Sequence, residues 1–271
     1  MVRIEEILQW IDSWAPFRYA ESWDNCGLQV GSPMAIVTRV LVALDPASSV
    51  LNEAHQLGCQ CVVTHHPLFL RPISFVHTDS WPGSIISQAL LSGINIIAAH
   101  TNLDAARHGA NAMLEELLKL GAARPLEAQT LHCGEEQYLG VGLVGLLPGE
   151  NTLESLAARL NGVFGGAVVR ITGNLGKRIT SVAVCAGSGG SMIGKVLASG
   201  ADVFITGDLK YHDARLAEES GLALIDIGHF ASEKLVLEPF CDFLRSKATS
   251  EAAELEVFVS KSEEDPFKLV A

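Results

Sequence analysis

The residues of this chain best equipped for chemistry are histidines and carboxylates, and they fall in recurring pairs. His65 and His66 are adjacent and precede Pro67; His100 stands four residues before Asp104, and His229 four before Glu233. Imidazole nitrogen and hard carboxylate oxygen form the mixed donor set that zinc, iron, manganese and cobalt all tolerate. A lone histidine at a strand end is more often a hydrogen-bonded structural residue, so the weight lies in the clustering. If the sets converge, three histidines and two carboxylates are too many for one ion that keeps a position open. Two divalent ions sharing a carboxylate fit better, and such a pair, about 3.5–4 Å apart, holds a bridging hydroxide and polarises a substrate oxygen at neutral pH. His100 and His212 form a second tier, as donors to a ligand or as proton carriers to a leaving group.

The elements that must position these residues are written twice. Val40 to His65 (VLVALDPASSVLNEAHQLGCQCVVTH) lies over Val182 to Gly207 (VAVCAGSGGSMIGKVLASGADVFITG) at a constant offset of 142 without a gap. Both read strand, turn, helix, strand, with Gly58 and Gly200 at the helix C′ position. The match resumes with SGINIIAAHTNLD from Ser92 and SGLALIDIGHFASE from Ser220, so His100-xxx-Asp104 and His229-xxx-Glu233 are equivalent features. Strands alternating with helices predict an α/β protein of two pseudo-symmetric repeats, side by side or intertwined, each a mostly parallel, mixed sheet flanked by helices. The expected first repeat spans 1–128, completed by 234–271, and the second 129–233, with a short connector around Pro125 to Gln137. Each candidate pair follows an apolar run, at the carboxyl end of a strand, where loops and helix N-termini of a parallel sheet face open space.

Composition bounds the rest. Hydrophobic residues make up 48% and charged residues 18%, an ordinary globular balance. The start MVRIEEILQWIDSW is acidic and amphipathic, which predicts a first helix rather than a signal peptide. No apolar run nears the ~18 residues of a membrane span, and the expectation is a soluble, cytoplasmic protein. Six cysteines, Cys26, Cys59, Cys61, Cys133, Cys185 and Cys241, lack the spacing of a disulfide scaffold or a zinc site and read as reduced, mostly buried thiols. With 31 acidic against 19 basic residues, the net charge of −12 argues against a nucleic-acid partner.

Weaker signals each carry a plain alternative. In Trp23-Asp24-Asn25-Cys26-Gly27, Asn25 reads either as a substrate or ligand contact or as part of a tight turn. AGSGGSMIG (186–194) lacks the lysine of a phosphate-binding loop and reads as a strand-to-helix turn. Asp226 interrupts an apolar strand and needs a partner; orienting a metal-bound histidine would supply one. Asp208 and His212 sit at the strand end where the first copy has His66. Trp10 and Trp14 form an apolar helical stripe for packing, and the tail after Ser246 reads as a final strand with a solvated end.

Taken together, SWDNCGLQVG (22–31), VVTHHPLF (62–69), AAHTNLDAA (98–106), TGDLKYHDA (206–214) and IDIGHFASE (225–233) resemble the YbgI-type dinuclear metal-centre family, whose members are labelled GTP cyclohydrolase I type 2 homologues. The resemblance spans residues 1 to about 250. It implies metal ligands at His65, His66, Asp104, His229 and Glu233, two intertwined α/β repeats, and a homohexameric ring with its metal sites facing an inner cavity. It also implies hydrolysis of a small molecule, in the manner of GTP cyclohydrolase acting on a purine nucleotide. The same ligands serve a second reading, a non-catalytic metal-binding, regulatory or scaffold protein, which an open coordination position discriminates.

Overall fold

Helical and strand periods divide the chain cleanly. In the computed structural model, which describes residues 1–126, 140–164 and 169–268, the first stretch contains β1 (Val2–Arg3), α1 (Ile4–Trp14), β2 (Gly27–Val30), β3 (Ile36–Val37), β4 (Arg39–Ala43), α2 (Ser48–Gln56), β5 (Cys61–Thr64), α3 (Gly83–Ser92), β6 (Asn95–Ala98) and α4 (Thr101–Asp104). Then come α5 (Ala110–Leu118), β7 (Gly121–Pro125), β8 (Leu143–Thr152), α6 (Leu153–Val163), β9 (Arg170–Thr172), β10 (Arg178–Ser188), α7 (Ile193–Ser199), β11 (Val203–Gly207), α8 (Tyr211–Glu219), β12 (Ala223–Asp226) and α9 (His229–Lys234). The chain closes with α10 (Leu237–Ser250) and β13 (Glu256–Val259). Most of the expected connector, and Cys133 within it, lies outside the described residues.

The chain resolves into two compact units, each assembled from two stretches. One comprises Met1–Leu103 with Val236–Glu264, the other Asp104–Leu235 with Asp265–Ala271. The first unit holds a five-stranded sheet in the order β13-β4-β5-β6-β2. Its first four strands run parallel and β2 pairs antiparallel to β6 at the edge. The second holds a six-stranded sheet, β7-β8-β10-β11-β12-β9, in which β10, β11 and β12 are parallel and β7, β8 and β9 antiparallel to their neighbours. Both are mixed α/β sheets, as the strand-helix alternation predicts.

Central strands buried on both faces need continuous apolar sequence, and β5, β6, β11 and β12 are buried at every position. Side chains such as Leu41, Val62 and Ile96 pack with Leu51 of α2 and Ile85 of α3 in the first core, and Phe204 and Leu224 with Val196 of α7 in the second. Burying each aliphatic side chain contributes about 1.5–3 kcal/mol before the entropy of ordering is counted. In α1, Ile4, Ile7, Trp10 and Ile11 form the buried stripe. Trp14 stacks on Phe240 and Phe243 of α10, with centroids 5.1 and 4.9 Å apart. Gly58 and Gly200 take left-handed φ values of +67° and +77° just past α2 and α7, the conformation in which glycine ends a helix at least steric cost. Cys59, Cys61, Cys185 and Cys241 are buried and, with half-buried Cys26, free. No described helix is long and apolar enough to cross a membrane.

Candidate metal centre

In the first unit the parallel strands β5 and β6 end side by side, and that adjacency gathers three histidines. His65 and His66 follow β5, His100 follows β6, and their ligand-capable nitrogens all lie within 4.8 Å of one another. The ring centroids are 5.0 Å apart for His65 and His66, 5.2 Å for His65 and His100, and 5.6 Å for His66 and His100.

Each of these rings is held through Nδ1 by an acceptor. The Nδ1 of His65 donates to the carbonyl of Ala99 at 3.0 Å, and a carbonyl can only accept, so this fixes the tautomer. His66 Nδ1 meets Asp45 Oδ1 at 2.8 Å, and His100 Nδ1 meets Asp24 Oδ1 at 2.9 Å. Imidazoles engaged at Nδ1 by a carbonyl or carboxylate coordinate through Nε2, the arrangement that orients metal-binding histidines.

Asp24, whose side chain is fully buried, does more than hold His100. It also accepts from the backbone and hydroxyl of Thr101 and from the thiol of Cys26. Burial on its own raises the carboxyl pKa, but hydrogen bonds from His100 and Thr101 outweigh it and hold the group far below the usual carboxylate range. A depressed carboxyl contributes stability that is complete above its unfolded pKa of about 3.9 and is lost as pH falls toward the folded value. Asp24→Asn is therefore expected to flatten the acid limb of the stability curve below about pH 5, with little effect on its slope between pH 6 and 8. Urea titrations across pH on both proteins check this, and parallel acid limbs would refute it. Cys26, beside it, is pushed up to about 12, chiefly by burial.

In the second unit, β12 leads through Gly228 into α9, whose first residue is His229. Its Nδ1 meets Asp208 Oδ2 at 2.7 Å and its Nε2 lies 2.9 Å from Glu233 Oε2. One imidazole satisfies two carboxylates without a cation only when both ring nitrogens carry protons. A cation would instead take Nε2 and the carboxylate as ligands together, the mixed imidazole and hard-oxygen donor set that divalent ions accept. The residues therefore fit a divalent ion. Glu233 is 3% exposed, and Gly187, at φ +67°, leaves it room: a Cβ there would collide with Glu233 Oε1 and stand 3.5 Å from His229 Nε2. Asp104 and Glu233 both act on the buried Cys185 thiol, which burial in the first place pushes far above its ordinary value.

The other sequence candidates divide. Asp104 opens the second unit, and its carbonyl accepts from Asn111 Nδ2 at 3.2 Å. His212 lies exposed on the first turn of α8, its ring 5.4 Å from that of Tyr211. Among the described residues, neither joins a cluster of three donor side chains within its own unit. Asn25 serves the fold, donating to the carbonyl of Phe69 at 2.8 Å and to Gln29 Oε1 at 3.3 Å. Among the described residues, the partners of Asp226 are not histidines: it accepts from Arg170 and from the backbone of Leu209 and Gly228, bracing the turn into His229. Within 186–194, Gly189 and Gly190 serve close packing, since a Cβ on Gly189 would meet Phe204 at 2.7 Å and one on Gly190 would meet Asp213 at 2.9 Å, whereas a Cβ on Gly194 would meet open space. Asp24 and Asp45, which brace two histidines, are absent from the sequence candidates because no spacing connects position 24 to 100 or 45 to 66.

Comparison with known proteins decides the family. Residues 2–266 match the model of Duf34/NIF3 (NGG1p interacting factor 3). The chain belongs to the DUF34/NIF3 family. A family relative from Clostridium perfringens, named GTP cyclohydrolase 1 type 2 homolog, is 33% identical over 269 residues, covering 99% of this chain and 100% of the relative. A Staphylococcus aureus hypothetical protein, SA1388, has a crystal structure that superposes with a TM-score of 0.90 at 30% identity, over 99% of both chains. The structure of protein ybgI, of unknown function, matches with a TM-score of 0.81 at 24% identity over 96% of this chain and 98% of that one, a likeness of fold. These matches agree with the five motifs by which the sequence resembles the YbgI-type proteins, and with the DUF34/NIF3 α/β fold.

Proposed function

We propose that this protein holds two divalent metal ions, zinc, iron or manganese, on His65, His66, Asp104, His229 and Glu233, and uses them to hydrolyse a small molecule. The observation that carries this reading is the uniform engagement of Nδ1: His65, His66 and His229 each have that nitrogen tied to a carbonyl or carboxylate, which turns Nε2 to coordination. Bound metal supplies a Lewis acid and a water activated at neutral pH. The chain's own part is orientation and proton transfer. His100, pinned by Asp24, is the proton carrier nearest His65 and His66, whereas His212 faces solvent.

The substrate class follows from the relatives' name, GTP cyclohydrolase 1 type 2 homolog, and from Trp23. That indole is 57% exposed and packs edge-on to His100 with centroids 6.0 Å apart, offering a face on which a purine can stack. A homohexameric ring is part of the same proposal, and light scattering of the purified protein checks it.

Protein reconstituted with zinc, manganese or iron and incubated with GTP is expected to release formate as the imidazole ring opens. His66→Ala is expected to lower that rate by at least about 100-fold in a folded protein, since outer partners of a metal ligand already account for 10–100-fold. Retained metal without turnover of GTP or of a panel of phosphoesters would refute the hydrolase and leave the non-catalytic metal-binding role.

A further inference from the structure

The C-terminal tail carries none of the proposed ligands, yet it ends at the support of one of them. After β13, Glu53 of α2 clasps the tail: its carboxylate accepts from the hydroxyl of Ser260 at 2.7 Å and from the backbone N–H groups of Lys261 at 3.0 Å and Ser262 at 3.1 Å. The next residue, Glu263, then reaches the end of β4. Its Oε2 accepts from the Leu44 N–H at 2.8 Å and its Oε1 from the Asp45 N–H at 2.7 Å.

Those two residues are the ones that hold His66. The Leu44 carbonyl accepts from the His66 backbone N–H at 2.8 Å, and Asp45 Oδ1 accepts from the His66 ring at 2.8 Å. One carboxylate therefore clamps both N–H groups of a dipeptide that fixes a histidine at backbone and ring. Asp45 is half exposed, so its own packing does not hold it, and charge-assisted bonds to its backbone are the stronger restraint available.

The second unit repeats the device with different parts. At the offset of 142, Leu44 and Asp45 correspond to Ala186 and Gly187. Ala186 N–H donates to Asn111 Oδ1 at 2.9 Å, and Gly187 N–H to Ser232 Oγ at 2.9 Å. Asn111 in turn donates to the carbonyl of Asp104, and Ser232 to the carbonyl of His229. In each unit side chains bind the paired N–H groups at this strand end, one carboxylate in the first and two neutral side chains in the second.

We infer that Glu263 is a positioning residue of the metal centre, acting through Leu44 and Asp45 to fix the orientation and tautomer of His66. The inference rests on the metal reading only for its consequence; the effect on the His66 ring exists without metal.

The test uses the full chain. Nitrogen-15 NMR of the imidazoles in the metal-free protein reads tautomer, and zinc titration reads affinity. In wild type, His66 is expected as a single Nδ1–H tautomer. In Glu263→Ala it is expected to become a mixture of tautomers while the exposed His212 keeps its wild-type signals, and zinc affinity is expected to fall about 10-fold, the lower end for outer partners of a ligand. Glu263→Asp keeps the charge but is too short to bridge both N–H groups, so it decides the matter if the alanine variant does not fold, with the same shifts expected. A His66 ring and a zinc affinity unchanged from wild type in the folded variant would overturn the inference. A wild type that takes up no zinc would defeat the metal reading separately, and the tautomer measurement would still decide the role of Glu263.

Discussion

Glu233→Gln is expected to abolish the rise in melting temperature that zinc or manganese gives the wild type, while leaving the metal-free protein at least as stable. Glu233 is 3% exposed, 2.9 Å from His229 Nε2, and shares with Asp104 an electrostatic influence on Cys185. A carboxylate this buried carries a desolvation cost that a cation relieves. Glutamine keeps the shape and removes the charge, so the apo form gains and the metal form loses. A ligand present at 100 times its Kd stabilises by about 2.7 kcal/mol, which for units of this size corresponds to about 5–10 °C. Thermal melts with and without metal, beside metal analysis of the dialysed protein, read the outcome. A variant that keeps the full metal-dependent shift would remove Glu233 from the ligand set.

Gly207→Ala is expected to be among the most damaging single-methyl additions in the second unit. A Cβ there would stand 2.6 Å from the His229 nitrogen, 2.8 Å from the Gly228 carbonyl carbon and 2.9 Å from the Gly187 oxygen, all backbone atoms that cannot swing aside. The expected cost is about 3 kcal/mol, the upper end for overpacking, read as a lowered urea midpoint. Gly207 occupies the place that His65 holds in the first copy, so Gly207→His, which would restore the duplicate, is expected to yield little soluble protein. Its recovery as a stable fold would show that α9 can yield and would contradict this account. The duplication has thus diverged for a packing reason: the first copy ends its strand in two histidines, while the second gives up that room to the backbone entering α9 and places Asp208 behind His229.

Much of this was legible because parallel strands buried on both faces write unbroken apolar runs, and the ends of β5, β6, β11 and β12 are where those runs stop at histidine, glycine or aspartate. The constant offset of 142 links β4, α2 and β5 to β10, α7 and β11 from the sequence alone. What periodicity cannot carry is a contact set by a side chain reaching across the fold. Asp24 meets His100 across 76 residues and Glu263 meets Leu44 across 219, and neither leaves a trace in local pattern. Asp226 illustrates a subtler failure: an acid in an apolar strand does demand partners, but backbone amides and Arg170 answered the demand that a histidine was expected to meet. The edge strands β2 and β9 were similarly hidden, since an antiparallel strand of three or four residues leaves too short a pattern to read.

The parallel pairing of β13 with β4 joins Glu256 to Arg39 and Val259 to Val42, so a sheet whose other strands all precede the Asp104–Leu235 stretch of the second unit receives its last strand from beyond it. During synthesis the β4 edge must wait, unsatisfied and open to wrong partners, until that whole stretch has emerged. Folding of the first unit is thereby made an event of high contact order, and deletion of β13 is expected to injure the first unit before the second.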